Sequence, residues 1–206
     1  MDHRDQNGDI KCVSRCEKET SQLPKPLERS VRRHRKQVAE DGVMVEEDNI
    51  RILSWNILSQ ALGTQNDGFV RCPPEALEWK TRRWRLMEEL VRHQPDILCL
   101  QEVVKSKLIT FCDPVSSQVD HFPLLERALS SLGYEGHFVS KPDSPCIYLP
   151  SNSGPDGCAL FYKKDQWELV GEVQYKTLEV FNITWQYINW ALHCVPETRA
   201  VSCSFV

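Results

Sequence analysis

The sequence contains no apolar run long enough to cross a bilayer, which takes about 20 consecutive residues in a helix. It also does not open with a basic segment followed by an apolar one, which is the pattern of a secretory signal. The first residues mix acidic and basic side chains, whereas mitochondrial presequences are poor in acidic residues. We therefore expect a cytoplasmic protein without a membrane partner.

An excess of basic charge is lacking as well. Lys and Arg together number 25 against 29 Asp and Glu, so the formal net charge at pH 7 is -4. Proteins that bind nucleic acid through their whole surface usually carry a clear excess of basic residues. The composition disfavours that mode of binding and leaves room for a local basic groove.

Cysteines are present, but their spacing lacks the pairs that zinc and redox sites need. None of the nine cysteines stands in a Cys-x-x-Cys pair. Cys12 and Cys16 are four positions apart, and no second pair lies nearby to complete a zinc site. Cys99 and Cys158 lie within apolar runs, as small core residues do. Reduced thiols are the favoured interpretation, and a cysteine-based metal or redox module is poorly supported.

The composition otherwise fits one ordinary domain preceded by a polar leader. The chain has 206 residues, of which 41% are hydrophobic and 26% are charged. Residues 1–48 are polar and carry a basic cluster at 29–36, with too few apolar residues for a core-facing helix. We expect a mostly disordered leader. Such charge runs are usually only solvated, and contact with a phosphate or an acidic partner is the less favoured alternative.

Two strand-like segments flank a helical one and end in oxygen-bearing side chains. Residues 49–57 and 96–103 read as strands, and 75–93 repeats apolar residues at helical spacing. A unit of this kind makes the two strands parallel, with their carboxyl ends at the same edge of the sheet. Asn56 and Glu102 would then meet there. Glu102 either reaches solvent as an ordinary strand-end carboxylate or binds a hard cation such as magnesium.

The rest of the chain alternates further helical and strand-like segments. A turn-rich loop is expected at 58–74, a second amphipathic helix at 120–132 and a short strand at 136–140. A strand at 158–162 is followed by a turn and by the segment 167–173, which we expect to pair back on that strand as a hairpin. This order predicts an α/β fold.

Four short segments form a recognisable series along the chain. They are WNIL at 55–58, DILCLQEV at 96–103, KPDSPC at 141–146 and GPDGCALF at 154–161. Each alone is a weak signal, but in this order, with a helix between the first two, they closely resemble the endonuclease/exonuclease/phosphatase family. Within it the sequence is similar to members that stand beside the carbon-catabolite-repression-type deadenylases. The resemblance covers residues 50–167 well and extends more loosely to 182.

The resemblance implies a fold and a chemistry. The fold is an α/β sandwich of two mixed sheets flanked by helices, and the chemistry is magnesium-dependent hydrolysis of phosphoesters. Glu102 would be the metal-binding glutamate, and Asn56 would help to hold the metal or the phosphate. Lys141 would contact substrate phosphate as a point charge. Asp156 would line the site, although an Asp that forms the turn before Gly157 is at least as well supported.

Two substrates follow from the resemblance: poly(A) RNA, which a deadenylase-type 3′-exonuclease shortens, and NADP(H), which loses its 2′-phosphate. Both present an adenosine and a phosphate, so the sequence does not choose between them. A bound magnesium ion would activate water and neutralise charge during hydrolysis. The sequence indicates no particular protein partner.

Two departures from the family pattern bear on completeness. Residues 104–119 form an insertion directly after Glu102, which is either a tolerated loop or a displacement of the site. After residue 184 the sequence diverges, and the motifs that would supply a general base, a phosphate-stabilising histidine and further metal ligands are absent.

We therefore interpret residues 49–184 as a partial domain of this family, followed by a divergent tail at 185–206. On this interpretation the chain holds the first half of the sandwich, with only the first sheet and part of its packing. Such a chain would lack catalysis. The alternative function is that of a non-catalytic fragment that binds or regulates a partner.

Overall fold

The structure, a computed structural model, describes residues 14–21, 50–65, 72–105, 121–149, 154–171, 174–180, 183–194 and 200–205. The helices of this part are α1 at 14–20, α2 (Gln60–Gln65), α3 (Pro74–Leu77), α4 (Trp79–His93), α5 (His121–Ser130) and a 3-10 helix (Pro145–Tyr148). Its strands are β1 (Ile52–Asn56), β2 (Ile97–Val104), β3 (Tyr134–Ser140), β4 (Asp156–Lys163), β5 (Trp167–Leu169), β6 (Gln174–Val180), β7 (Ile183–Cys194) and β8 (Ala200–Phe205).

The first sheet is mixed and has the strand order β1-β2-β4-β3. β1 and β2 run parallel, with Ile52 opposite Ile97 and Asn56 opposite Gln101. β4 pairs antiparallel with both β2 and β3. The predicted parallel pair is confirmed, and the carboxyl ends of β1 and β2 lie at one edge of the sheet.

The central strand β2 is buried on both faces, as its unbroken apolar run predicts. Leu98 and Leu100 belong to the core cluster shared with the helices, whereas Ile97 and Cys99 pack on the opposite side with Trp167 of β5. All four residues from Ile97 to Leu100 are at most 2% exposed. Both sides of this strand are therefore covered.

The helical layer is formed mainly by α4 and α5. The residues of these helices that enter the core are Trp79, Trp84, Leu86, Met87, Leu90, Phe122, Leu125 and Leu129. α4 ends at His93; the next residue, Gln94, adopts a left-handed conformation with φ 43°, and Pro95 then prevents a further helical turn. The helix predicted at 75–93 is divided in two, because Glu78 is extended between α3 and α4.

A second sheet follows the first, and this corrects two expectations. β5 and β6 both pair antiparallel with β7, and β8 also pairs with β7, giving a four-stranded sheet. The expectation that only the first sheet is present is therefore wrong. The hairpin expected for 167–173 is wrong as well, because β5 pairs with the end of β7 and not with β4. The α/β sandwich-like fold class itself is confirmed.

Part of the expected leader is folded. α1 packs against α4: its Cys16 is 2% exposed within the main core, and the Thr20 carbonyl accepts a 3.0 Å hydrogen bond from Arg85 Nη2. Residues 1–13 and 22–48 of the expected leader, and 106–119 of the expected insertion, lie outside the described part of the chain. The domain bounds given above stay a prediction. None of the helices that the structure describes is both long and apolar enough to span a membrane.

Candidate functional site

The four predicted site residues lie at the same edge of the first sheet. Asn56 ends β1, Glu102 lies near the end of β2, and Asp156 begins β4. Lys141 directly follows β3, and its backbone N–H donates a 2.9 Å hydrogen bond to the Asp156 carbonyl. The pairing of Gly157 with residues of both β2 and β3 brings these strand ends together. All four residues therefore stand at one edge of the sheet.

Glu102 stands at an irregularity in β2. The register between β2 and β4 shifts between Leu100 and Val103, and Glu102 has φ 55°, in the left-handed region that few residues other than glycine adopt. A bulge of this kind re-aims a side chain and ends regular pairing. Backbone strain is maintained only where the surroundings enforce it, and it clusters at functional sites. The carboxylate is thus directed by an unusual backbone.

Both oxygens of the Glu102 carboxylate are held. Asn56 Nδ2 donates to Oε1 over 2.7 Å, and the Ser59 backbone N–H donates to Oε2 over 2.9 Å. Asn56 Oδ1 accepts from the Leu58 N–H over 2.9 Å, which fixes the orientation of the amide. The amide nitrogen of Asn56, not its oxygen, therefore faces the carboxylate.

Asp156 is buried and tied to a neighbouring hydroxyl. The residue is 3% exposed. Its carboxylate accepts a hydrogen bond from Ser144 Oγ, and its backbone N–H donates to that same Oγ over 3.0 Å. Ser144 Oγ also accepts from the Cys146 N–H over 3.2 Å at the start of the 3-10 helix. This favours a structural role for Asp156 over direct contact with a ligand.

Lys141 is exposed, and its positive charge acts on the thiol of Cys158. Burial and then the charge of Asp156 raise the pKa of the Cys158 thiol to about 11, while Lys141 acts in the opposite direction. The Lys141 side chain is thus a cation at the rim of the edge that carries Glu102.

A buried polar link joins the Glu102 side of the edge to the Asp156 side. Ser59 Oγ lies 3.3 Å from Cys146 Sγ, and Ser59 Oγ also accepts from the Leu62 N–H over 3.2 Å. Burial raises the pKa of the Cys146 thiol, so this thiol stays protonated and serves as a neutral partner. The link positions Ser59, whose N–H binds Glu102.

Arg82 of α4 was not predicted as a site residue. Its guanidinium donates to three carbonyls: Nη1 to Ile57 over 2.7 Å, Nη2 to Leu58 over 2.9 Å and Nε to Leu77 over 2.9 Å. Burial lowers the pKa of Arg82 to about 10, and the charge of Glu102 opposes that shift. The sequence contained a signal, because position 82 is one helical turn from Trp79 and falls on the buried stripe of α4.

His121 was likewise missed. The side chain begins α5, is 0% exposed, and its ring centroid lies 3.9 Å from that of Trp79. Burial, then the charge of Arg82, lowers the pKa of His121 to about 3, and the Glu102 backbone acts in the opposite direction. Within the described residues neither ring nitrogen has a hydrogen-bond partner of ordinary geometry. The imidazole is therefore neutral and packed directly under the site.

The donor set at this edge suits a hard cation only in part. Each Glu102 oxygen accepts one hydrogen bond and keeps a lone pair. Among the residues that the structure describes, no group of three or more His, Cys, Asp or Glu side chains could hold a metal ion. Water and phosphate oxygens would have to complete the shell, which is how magnesium is commonly bound.

Most of the chain is similar to known proteins. The model of the Endonuclease/Exonuclease/phosphatase family matches residues 53–196. Nocturnin of Drosophila melanogaster is 49% identical over 139 residues, which cover 68% of this chain and 19% of that protein. The CCR4-Not complex 3′-5′-exoribonuclease subunit Ccr4 of Neurospora crassa is 30% identical over 191 residues, 86% of this chain and 22% of that protein.

A solved structure agrees with these relatives. The human Nocturnin catalytic domain with bound sulfate anion superposes with a TM-score of 0.52 at 34% identity, covering 75% of this chain and 48% of that chain. The chain thus spans about half of that domain and about a fifth of each of the two curated relatives. The resemblance read from the four sequence segments is confirmed, and this chain belongs to the Endonuclease/Exonuclease/phosphatase family.

Proposed function

We propose that the site at the edge of the first sheet serves magnesium-dependent hydrolysis of phosphoesters, with Glu102 as the metal ligand that the described residues supply. The observation that carries this is the carboxylate of Glu102, held through both oxygens and aimed by a left-handed backbone. Structural carboxylates at strand ends do not need such control, whereas catalytic groups do. Family membership and the named relatives support nuclease or phosphatase chemistry.

The residues have different roles in this proposal. Glu102 holds the cation. Asn56 orients the carboxylate through its Nδ2, and its Oδ1, which accepts from Leu58 and keeps a lone pair, can still help to hold the metal or the phosphate. Lys141 contacts substrate phosphate from the rim, and Asp156 keeps the adjacent strand end in place. A bound magnesium ion would polarise a phosphoryl oxygen and stabilise negative charge on it.

RNA is the favoured substrate. The Neurospora crassa relative is named as a 3′-5′-exoribonuclease, and we extend that substrate class to this chain, with a poly(A) end as the preferred form. NADP(H) is the second substrate that the sequence resemblance implies, and it also presents an adenosine and a phosphate. A cytoplasmic location fits both substrates.

The test measures metal binding and hydrolysis on the same purified 206-residue chain. Mn²⁺, which also binds at octahedral oxygen sites, replaces Mg²⁺ as a paramagnetic probe. Electron paramagnetic resonance then measures the concentration of unbound Mn²⁺. Short poly(A) RNA and NADP⁺ are then each incubated with Mg²⁺. Glu102→Gln is expected to weaken Mn²⁺ binding about 100-fold and to abolish any hydrolysis that the wild type shows. Glu126→Gln, an exposed change on α5, is the matched control and should leave both unchanged.

The outcomes distinguish the two functions that the sequence left open, a metal-dependent phosphohydrolase and a non-catalytic fragment. Binding of Mn²⁺ that depends on Glu102, together with hydrolysis, supports the enzyme. Binding that depends on Glu102 without hydrolysis of either substrate favours the non-catalytic fragment, whose expected lack of catalysis stays a prediction. Equal Mn²⁺ affinities of the wild type and Glu102→Gln would contradict the metal site.

A further inference from the structure

Two consecutive peptide units connect Arg82 to the proposed metal ligand. In the unit between Leu58 and Ser59, the carbonyl accepts from Arg82 Nη2 over 2.9 Å and the N–H donates to Glu102 Oε2 over 2.9 Å. A trans peptide points its carbonyl and its N–H in opposite directions. Arg82 and Glu102 therefore hold opposite ends of one rigid peptide plane.

The preceding peptide unit repeats the arrangement. The Ile57 carbonyl accepts from Arg82 Nη1 over 2.7 Å, while the Leu58 N–H donates to Asn56 Oδ1 over 2.9 Å. Asn56 in turn donates to Glu102 Oε1 over 2.7 Å. The two outer nitrogens of a guanidinium lie in one plane at fixed separation, so they set the orientation of both carbonyls together.

The turn between the two planes needs such a clamp. Leu58 has φ 59°, a left-handed conformation that is strained for a residue other than glycine and persists only when the surroundings enforce it. Arg82 itself is fixed by its third bond, from Nε to the Leu77 carbonyl, and lies with its Cζ 5.9 Å from the Trp79 ring centroid. The guanidinium is thus preorganised on α4.

We propose that Arg82 is a positioning residue of the metal site, which acts by holding the 57–59 backbone so that Asn56 and the Ser59 N–H grip both oxygens of Glu102. This inference rests on the function proposed above. It assigns to Arg82 an indirect role, because the guanidinium donates to the backbone carbonyls of the turn that holds Glu102.

Positioning and charge predict opposite changes in Mn²⁺ affinity when Arg82 is replaced by a neutral residue. A buried cation close to Glu102 repels a metal ion, so an Arg82 that acted only through its charge would weaken metal binding, and Arg82→Met would then bind Mn²⁺ more tightly. An Arg82 that acts by positioning makes Arg82→Met bind Mn²⁺ about 10- to 100-fold more weakly, as loss of an outer-shell partner does. Arg82→Lys keeps the charge but cannot fork to two carbonyls, and should also bind about tenfold more weakly.

The experiment titrates Mn²⁺ into the wild type, Arg82→Met, Arg82→Lys, Glu102→Gln and the control Lys80→Met, which removes an exposed cation from the same helix. The fold of each is checked by thermal unfolding and by its amide NMR spectrum. The expected result is weaker binding by both Arg82 variants, together with a changed Ser59 amide resonance, and no change for Lys80→Met.

Several results would overturn the inference. Tighter binding by Arg82→Met would show a charge effect, and unchanged affinity with a lower unfolding temperature would show a purely structural Arg82. If Arg82→Met fails to fold, Arg82→Lys decides by itself, since wild-type affinity in that variant contradicts the clamp. If Glu102→Gln binds Mn²⁺ as tightly as the wild type, the proposed function itself is contradicted. Failure of the Arg82 inference and failure of the proposed function are therefore distinguishable.

Discussion

Two carboxylates lie at the same edge of the first sheet and have opposite surroundings. Glu102 is partly exposed, stands on a left-handed backbone, and is held by an amide and a backbone N–H. Asp156 is 3% exposed, pairs with Val104 of β2, and accepts from Ser144. One group keeps lone pairs for an outside ligand, and the other is enclosed by its own protein partners.

The difference shows where strain is placed in this fold. On the Asp156 side, two strand backbones approach so closely at Gly157 that a Cβ would lie 2.1 Å from the Val139 carbonyl oxygen. That side is closely packed. On the Glu102 side, left-handed residues occur at Leu58 and Glu102, and Arg82 fixes the turn. We infer that the Asp156 side stabilises the edge, and that the Glu102 side is shaped for binding.

The largest effect that should test this comparison is on stability. Asp156→Ala is expected to lower the free energy of unfolding by about 3 kcal/mol, because a buried hydrogen bond to a charged group is lost and Ser144 is left without its acceptor. The measurement is urea unfolding monitored by tryptophan fluorescence. The control is Asp143→Ala, an exposed change next to Ser144. It should lower the free energy of unfolding by less than about 0.5 kcal/mol.

The same variant should keep its metal site. Folded Asp156→Ala is expected to bind Mn²⁺ within about threefold of the wild type, because Glu102 keeps both of its partners. In a double-mutant cycle, Asp156→Ala and Ser144→Ala should be strongly non-additive in stability. Additive costs would contradict a stabilising contact between Asp156 and Ser144. A Mn²⁺ affinity that falls as far as in Glu102→Gln would show that Asp156 is a ligand.

The sequence predicted the parts of this edge that depend on neighbours in the chain. The apolar run of β2, the helical spacing before Pro95 and the rule that such a unit is parallel placed Asn56 beside Glu102, and the structure shows them 2.7 Å apart. The four segments identified the family through their order along the chain, in which Asn56, Glu102, Lys141 and Asp156 stand at or next to strand ends.

The rest depends on contacts that no local pattern specifies. β5 has only three residues and finds its partner in the end of β7, so a hairpin with the adjacent β4 was the wrong choice. The role of Arg82 requires the carbonyls of a turn 24 and 25 residues earlier, and the helical spacing of α4 alone shows only that the side chain faces inward. The left-handed backbone at Glu102 arises from a bulge opposite β4, which short-range propensities do not encode.

A second effect should come from His121, which lies beneath the Glu102 side. Its pKa is held near 3 in the fold and returns to about 6.5 on unfolding, so between these values the unfolded state binds the extra proton. Stability is therefore complete above pH 6.5 and falls as the pH decreases toward 3. Between pH 6.5 and 5 the wild type should lose about 2 kcal/mol that His121→Leu does not lose.

The comparison is made by urea unfolding in EDTA at both pH values, so that no metal contributes. His93→Gln, which changes a histidine at the far end of α4, should retain the acid dependence of the wild type. If His121→Leu and the wild type lose equal free energy of unfolding between the two pH values, protonation of His121 is not the cause of the acid destabilisation.

The smallest effect should come from Lys141, at the rim between the two carboxylates. Lys141→Met is expected to weaken binding of adenosine monophosphate about tenfold in the presence of Mg²⁺, which corresponds to about 1.4 kcal/mol, with stability unchanged. The loss should shrink as salt is raised, because the side chain is exposed and its charge is screened. Lys164→Met removes an equally exposed lysine beyond the opposite end of β4 and should leave the affinity unchanged. Equal losses from both lysines would mean that the phosphate senses only the overall charge of the protein, and the edge would then have no phosphate contact of its own.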